Sequence, residues 1–130
     1  TVRIMSFSYK NGVPLDDRGH GGGFIFDCRA LPNPGHYEQY AQLTGRDKPV
    51  IDFLKKEPEV DKFLAGVFEL AGMSVQNYQT RNFTSLSVAF GCTGGRHRSV
   101  YCAEALAARL KQKYGARVEL THRELGAAAK

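Results

Sequence analysis

The 130-residue chain has no apolar run approaching the roughly 20 residues that a membrane-spanning helix needs, which excludes such a helix. Residues 1–5 show no basic-then-apolar leader, and the chain does not start with methionine. It is therefore expected to be a segment of a longer protein. Cysteine is scarce: Cys28, Cys92 and Cys102 are the only three. An odd count without a spaced framework argues against a secreted, disulfide-stapled domain, and a reducing cytoplasm is the expected setting. No Cys/His pair has zinc-ligand spacing, so neither a metal nor a cofactor is expected. Internal repeats are absent, and 127–129 is the only low-complexity tract.

What is present fits one ordinary globular domain. Hydrophobic residues make up 42% and charged residues 24%, enough for a core and too much for wholesale disorder. The net charge of +5 favours anionic partners such as phosphates, acidic surfaces or nucleic acid. Asp and Glu are scattered throughout, however, so on composition alone this is solubilising charge.

Alternation over 2–9 predicts a strand, ended by Asn11-Gly12-Val13-Pro14. A polar, glycine-rich loop follows over 16–23, then a short buried strand over 24–28. The stretch 29–45, with Pro32, Asn33, Pro34, Gly35 and Gly45, reads as a long irregular connection, a type that tends to carry function. Asp47 is placed to cap a helix from Lys48, with Pro49 in its first turn. After Pro58 a second helix is expected over 60–79, its apolar stripe Phe63, Leu64, Val67, Phe68, Ala71 and Val75. A strand over 85–90, a helix over 99–114 ended by Gly115, and a strand over 117–121 complete the chain. The last three form a βαβ unit, so their strands are expected to be parallel. The expected fold is α/β: a mixed, partly parallel sheet with flanking helices.

Between a strand end and a helix start lies Gly91-Cys92-Thr93-Gly94-Gly95-Arg96-His97-Arg98-Ser99. Ligands of open α/β sheets bind at that edge. A helix N-terminus offers unpaired N–H groups and partial positive charge. Gly91, Gly94 and Gly95 let the backbone curl so that N–H groups converge. Thr93 and Ser99 add hydroxyls; Arg96, His97 and Arg98 add charge and donors. The segment reads as a cradle for a phosphate-type anion. Its glycines alone would signal only a strand-to-helix turn. It is not a Walker A loop, because no Gly-Lys-Ser/Thr follows at the required spacing.

The run from Cys92 through Arg98 to Ser99 also fits the cysteine-phosphatase pattern Cys-x5-Arg-Ser/Thr, in which a thiolate attacks phosphorus. Gly91 replaces the usual histidine before the cysteine. Asp16, Asp17 and Asp27 are candidate acids that nothing in the sequence ranks. Among single residues, His97 reads as a ligand contact and His20 as solvent-exposed. His122 reads equally as an anion contact or a solvated strand end. Asp27, inside an apolar strand, needs a partner if buried; with Arg29 on the same strand side, an Asp27–Arg pair and an Asp27 bond to a sugar hydroxyl are both open. Arg109, Lys111 and Lys113 form a solvated helix face, with an RNA surface as the alternative.

The stretches 6–14, 26–34, 43–50 and 91–101, together with His122-Arg123-Glu124-Leu125, resemble the C-terminal domain of the RapZ RNase adapter family of bacteria, in order over nearly the whole chain. The resemblance implies one phosphofructokinase-like domain over 1–130, acting as a regulatory sensor and adapter. It implies binding of glucosamine-6-phosphate and, in enterobacteria, of small RNA. The ligand site carries over to Cys92, Thr93, Gly94, Gly95, His97, Arg98 and Ser99, with Arg96 at the basic position. Asp27, Arg29, Asn33 and His36 are the candidates from the second stretch. A homodimer, and signalling to a partner protein or a fused kinase-like nucleotide-binding domain, are implied in the same way. The chain departs from the family in lacking the N-terminal P-loop domain, in the insert around residues 18–22, and in lacking a Lys/Arg-rich tail. The last departure counts against RNA binding.

The leading expectation is a non-enzymatic module that binds a phosphorylated small molecule, with no catalytic residue. An RNA-binding adapter and a phosphatase using Cys92 and Arg98 are the alternatives. On this sequence reading, Arg98→Ala abolishes anion binding and leaves the fold intact.

Overall fold

In the computed structural model, which describes residues 1–14, 23–81 and 85–125, four strands form one sheet of order β2-β3-β1-β4. They are β1 (Val2–Ser8), β2 (Gly23–Asp27), β3 (Leu86–Cys92) and β4 (Val118–His122). The helices are α1 (Lys48–Lys55), α2 (Pro58–Thr80) and α3 (Arg98–Tyr114). The α/β class and the flanked sheet agree with the sequence reading. The sheet goes further than "partly parallel": all three described pairings are parallel. Only the β3–α3–β4 unit had announced parallel strands, with β1 lying between them in the sheet, because the β1-to-β2 connection has no helical periodicity to mark it as a crossover.

Alternation on β1 sends Val2, Ile4, Ser6 and Ser8 to one face. The matching residues on β3 are Leu86, Val88, Phe90 and Cys92. This face carries the core, together with Val67, Ala71 and Val75 of α2 and Cys102, Ala103, Leu106 and Leu110 of α3. α3 crosses β3, β1 and β4, and α2 packs on α3. Removing these side chains from water is the main stabilising term, about 1.5–3 kcal/mol for each large one.

Element ends follow local chemistry. α2 starts at Pro58, earlier than the expected 60, because proline occupies the first helical turn, where its missing N–H costs nothing. Asp47 is the N-cap of α1 but makes no side-chain cap bond; its carboxylate instead accepts from the Thr44 amide at 2.8 Å. α3 ends as expected at Gly115, in the left-handed conformation at φ 61°, and Ala116 N–H closes on Leu110 O. The connection 29–45 contains two short 3-10 turns, Pro34–His36 and Glu38–Tyr40. The register aligns the strand ends: Ser8 pairs with Cys92, and Asp27 with Gly91. The insert with His20, the acids Asp16 and Asp17, and residues 126–130 lie outside the described residues.

Candidate functional site

Beyond Cys92 the chain makes one turn, 93–97, before α3 begins at Arg98. Thr93 and Gly94 are exposed, and Gly95 is buried. Gly95 has φ 70°, and a Cβ there would stand 2.5 Å from Glu124 Cγ and 2.8 Å from Ser8 N. The turn is thus folded tightly onto the end of β1. Ser8 fixes it further by donating its hydroxyl to the Thr93 carbonyl at 2.5 Å. His97, the N-cap of α3, makes no side-chain cap bond, so the first-turn N–H groups receive no cap from it.

Arg98 is only 4% exposed. Its Nη1 donates to the Arg29 carbonyl at 2.7 Å and the Leu31 carbonyl at 3.0 Å. Its Nε is buried and has no hydrogen-bond partner among the described residues. Among the described residues no carboxylate forms an ion pair with it. Asp27 feels its charge but is already bound by Arg29, through Nε to Oδ1 at 2.9 Å and Nη2 to Oδ2 at 2.7 Å. Those bonds hold the Asp27 carboxyl below the usual aspartate range. Among the described residues the guanidinium is thus held by carbonyls, and Asp27 is a carboxylate that feels its charge without binding it.

Asp27 itself is exposed, because β2 is an edge strand and its odd positions face away from the core. The Asp27–Arg29 pair expected from the sequence forms at the surface, and Arg29 also stacks over the Tyr9 ring at 3.9 Å. Asn33 accepts from the Gly35 amide at 2.9 Å, shaping the loop over His97. His36 is exposed. Arg96 reaches back to the Gln42 carbonyl at 3.4 Å.

His97 is half-buried, and its Nε2 donates to the Tyr40 carbonyl at 2.9 Å. Burial lowers its pKa below the ordinary histidine value, with the charges of Arg96 and Arg98 acting in the same direction. A neutral ring at physiological pH suits a latch on the 29–45 connection. Gly45 completes the latch: its N–H bonds to Arg96 O at 2.8 Å, and a Cβ there would collide with His97 O and Tyr101 N.

Cys92 is 2% exposed, and its Sγ lies 3.1 Å from Ser99 Oγ. Cys28 and Cys102 are also buried. Hydrogen bonding with Cys102, together with burial, pushes the Cys28 thiol well above its ordinary pKa. A buried thiol held protonated is a poor nucleophile. A disulfide-exchange reagent is expected to titrate none of the three thiols in the native protein and all three after unfolding.

Most candidate residues therefore gather around the N-terminus of α3, but many face the loop. Composition had not pointed to Ser8, Tyr9, Tyr40, Gly45, Arg123 or Glu124, although each except Tyr40 falls within a stretch that carries the family resemblance. His122 is buried, not solvated: it donates through Nε2 to Glu104 at 2.7 Å and meets the Ser6 hydroxyl at Nδ1, also at 2.7 Å.

Fold and turn together define an open parallel α/β domain with a glycine-rich strand-to-helix turn at the carboxyl edge of its sheet. Residues 1–126 match the RapZ C-terminal domain family, and the chain belongs to it. It is 43% identical over 125 residues to a nucleotide-binding protein of Thermotoga neapolitana, covering 96% of this chain and 42% of the relative. A nucleotide-binding protein of Laribacter hongkongensis is 47% identical over 129 residues, covering 95% and 42%. One of Acidithiobacillus ferrooxidans is 45% identical over 123 residues, covering 95% and 39%. The chain thus spans about two fifths of the length of these curated relatives. Among the described residues no helix is long and apolar enough to cross a membrane, and no side-chain cluster suits a metal ion.

Proposed function

We propose that this domain is a sensor or adapter module that binds a phosphorylated small molecule at the 93–97 turn and the N-terminus of α3. An amino-sugar phosphate such as glucosamine-6-phosphate is the favoured ligand. The observation that carries the reading is Arg98: a buried cation with an unfilled Nε and no carboxylate partner among the described residues, at the start of a helix whose N-cap residue makes no side-chain cap bond. An anion there would neutralise the guanidinium and occupy free N–H groups together. Binding is favoured over cysteine-phosphatase chemistry because Cys92 is buried within the hydrophobic core rather than open to the turn. Signalling to a partner protein or a fused domain, and a homodimeric state, follow from the family resemblance as parts of the same proposal.

Calorimetric titration with glucosamine-6-phosphate, glucosamine and inorganic phosphate tests it. Saturable heat is expected from the sugar phosphate, with none from glucosamine. Heat from phosphate alone would redirect the site to another anion, and no heat from any of the three would overturn the reading.

A further inference from the structure

The turn is backed by the last described segment of the chain, 122–125. Glu124 sits directly behind Gly95, with its Cγ where a Gly95 side chain would be. Its side chain is only 13% exposed. Both oxygens are engaged: Oε2 accepts from Ser8 N–H at 2.8 Å and from Arg123 Nε at 2.9 Å, and Oε1 from Asn11 Nδ2 at 2.8 Å. Arg123 in turn donates through Nη2 to the carbonyls of Ser8 and Gly12, at 3.2 and 2.8 Å. Its own N–H bonds to Ser6 O at 3.0 Å, and Leu125 N–H closes on His122 O at 3.2 Å. One side chain thus packs on the turn through its Cγ while its carboxylate ties the end of β1 to the segment from which the chain continues.

The sign of the coupling follows from charge. An anion held by the turn would share the Gly95 backbone with the Glu124 side chain, whose Cγ packs against it. Two negative charges across one backbone repel, the Arg123 ion pair at 2.9 Å offsetting only part of the Glu124 charge. Gly95 leaves no room for even a Cβ between the turn and Glu124. Resting on the anion-site reading above, we propose that 122–125 is the output strap of that site. Anion occupancy weakens the Glu124 bonds to Ser8 and Asn11 and frees the strap. By linkage, whatever pulls on the chain beyond Leu125 changes anion affinity by the same factor.

Hydrogen exchange on the full chain, with and without saturating glucosamine-6-phosphate, tests the coupling separately from the site. Slower exchange over 93–101 with faster exchange over 121–125 is the expected result. Protection over 93–101 with 121–125 unchanged or slowed would overturn the strap and leave the site standing. No change over 93–101, with no calorimetric heat, would overturn both. Glu124→Gln keeps the shape and removes the charge. It is expected to bind glucosamine-6-phosphate roughly fivefold more tightly and to abolish the ligand-induced change over 121–125. Wild-type affinity in a folded Glu124→Gln protein would overturn the proposal.

Discussion

Gly95→Ala is expected to lower stability by about 3 kcal/mol or more, while Gly94→Ala, one residue earlier, stays within about 1 kcal/mol of wild type. The contrast is geometric. Gly95 has φ 70°, where an L side chain strains the backbone, whereas Gly94 has open space around its missing Cβ. A methyl group at 95 also meets Ser8 N at 2.8 Å and Phe7 C at 2.9 Å. Those are main-chain atoms of β1, a central strand paired on both sides, so they cannot retreat without breaking the ladder. Urea unfolding of the two variants measures the difference directly. Equal midpoints would mean that the turn does not rest on β1 as described.

How far the sequence reported this arrangement depends on how local each feature is. α3 was legible because Val100, Ala103, Leu106, Ala107 and Leu110 recur at helical spacing and Gly115 ends them. The turn was legible because glycines, hydroxyls and cations are contiguous there. The directions of Arg98 and His97 were not, because their acceptors are carbonyls of residues 29, 31 and 40, far away in sequence. A backbone carbonyl leaves no mark on residue identity, so a cation that clamps a loop reads the same as one that awaits a ligand. Asp27 was half-read: its partner Arg29 followed from strand geometry, but its exposure depended on β2 being an edge. His122 was readable in principle. Counting by twos from Val118 and Leu120 puts it on the core face, where Ser6 and Glu104 receive it.

The direction of Arg98 changes what its substitution should do. The sequence alone suggested that Arg98→Ala removes anion binding from an intact fold. In the structure the same guanidinium holds the carbonyls of Arg29 and Leu31, so its loss leaves two acceptors of the 29–45 connection without their donor. Leaving a buried polar group unpaired costs about 1–3 kcal/mol, and Arg98→Ala adds a cavity to that. Arg98→Met separates the two roles, because it refills most of the volume and removes only the charge and the donors. It is expected to unfold about 1–2 kcal/mol more easily than wild type and to lose affinity for glucosamine-6-phosphate roughly tenfold to a hundredfold. The decisive readout is the rise in melting temperature that saturating ligand gives the wild type, since a ligand stabilises only a protein that binds it. Arg98→Met should lose about 1.4–2.7 kcal/mol of that ligand-induced stabilisation while keeping a cooperative transition. A cooperative variant with the full ligand-induced rise would make Arg98 a loop clamp alone, and would move the anion to Arg96 and the exposed amides of the turn.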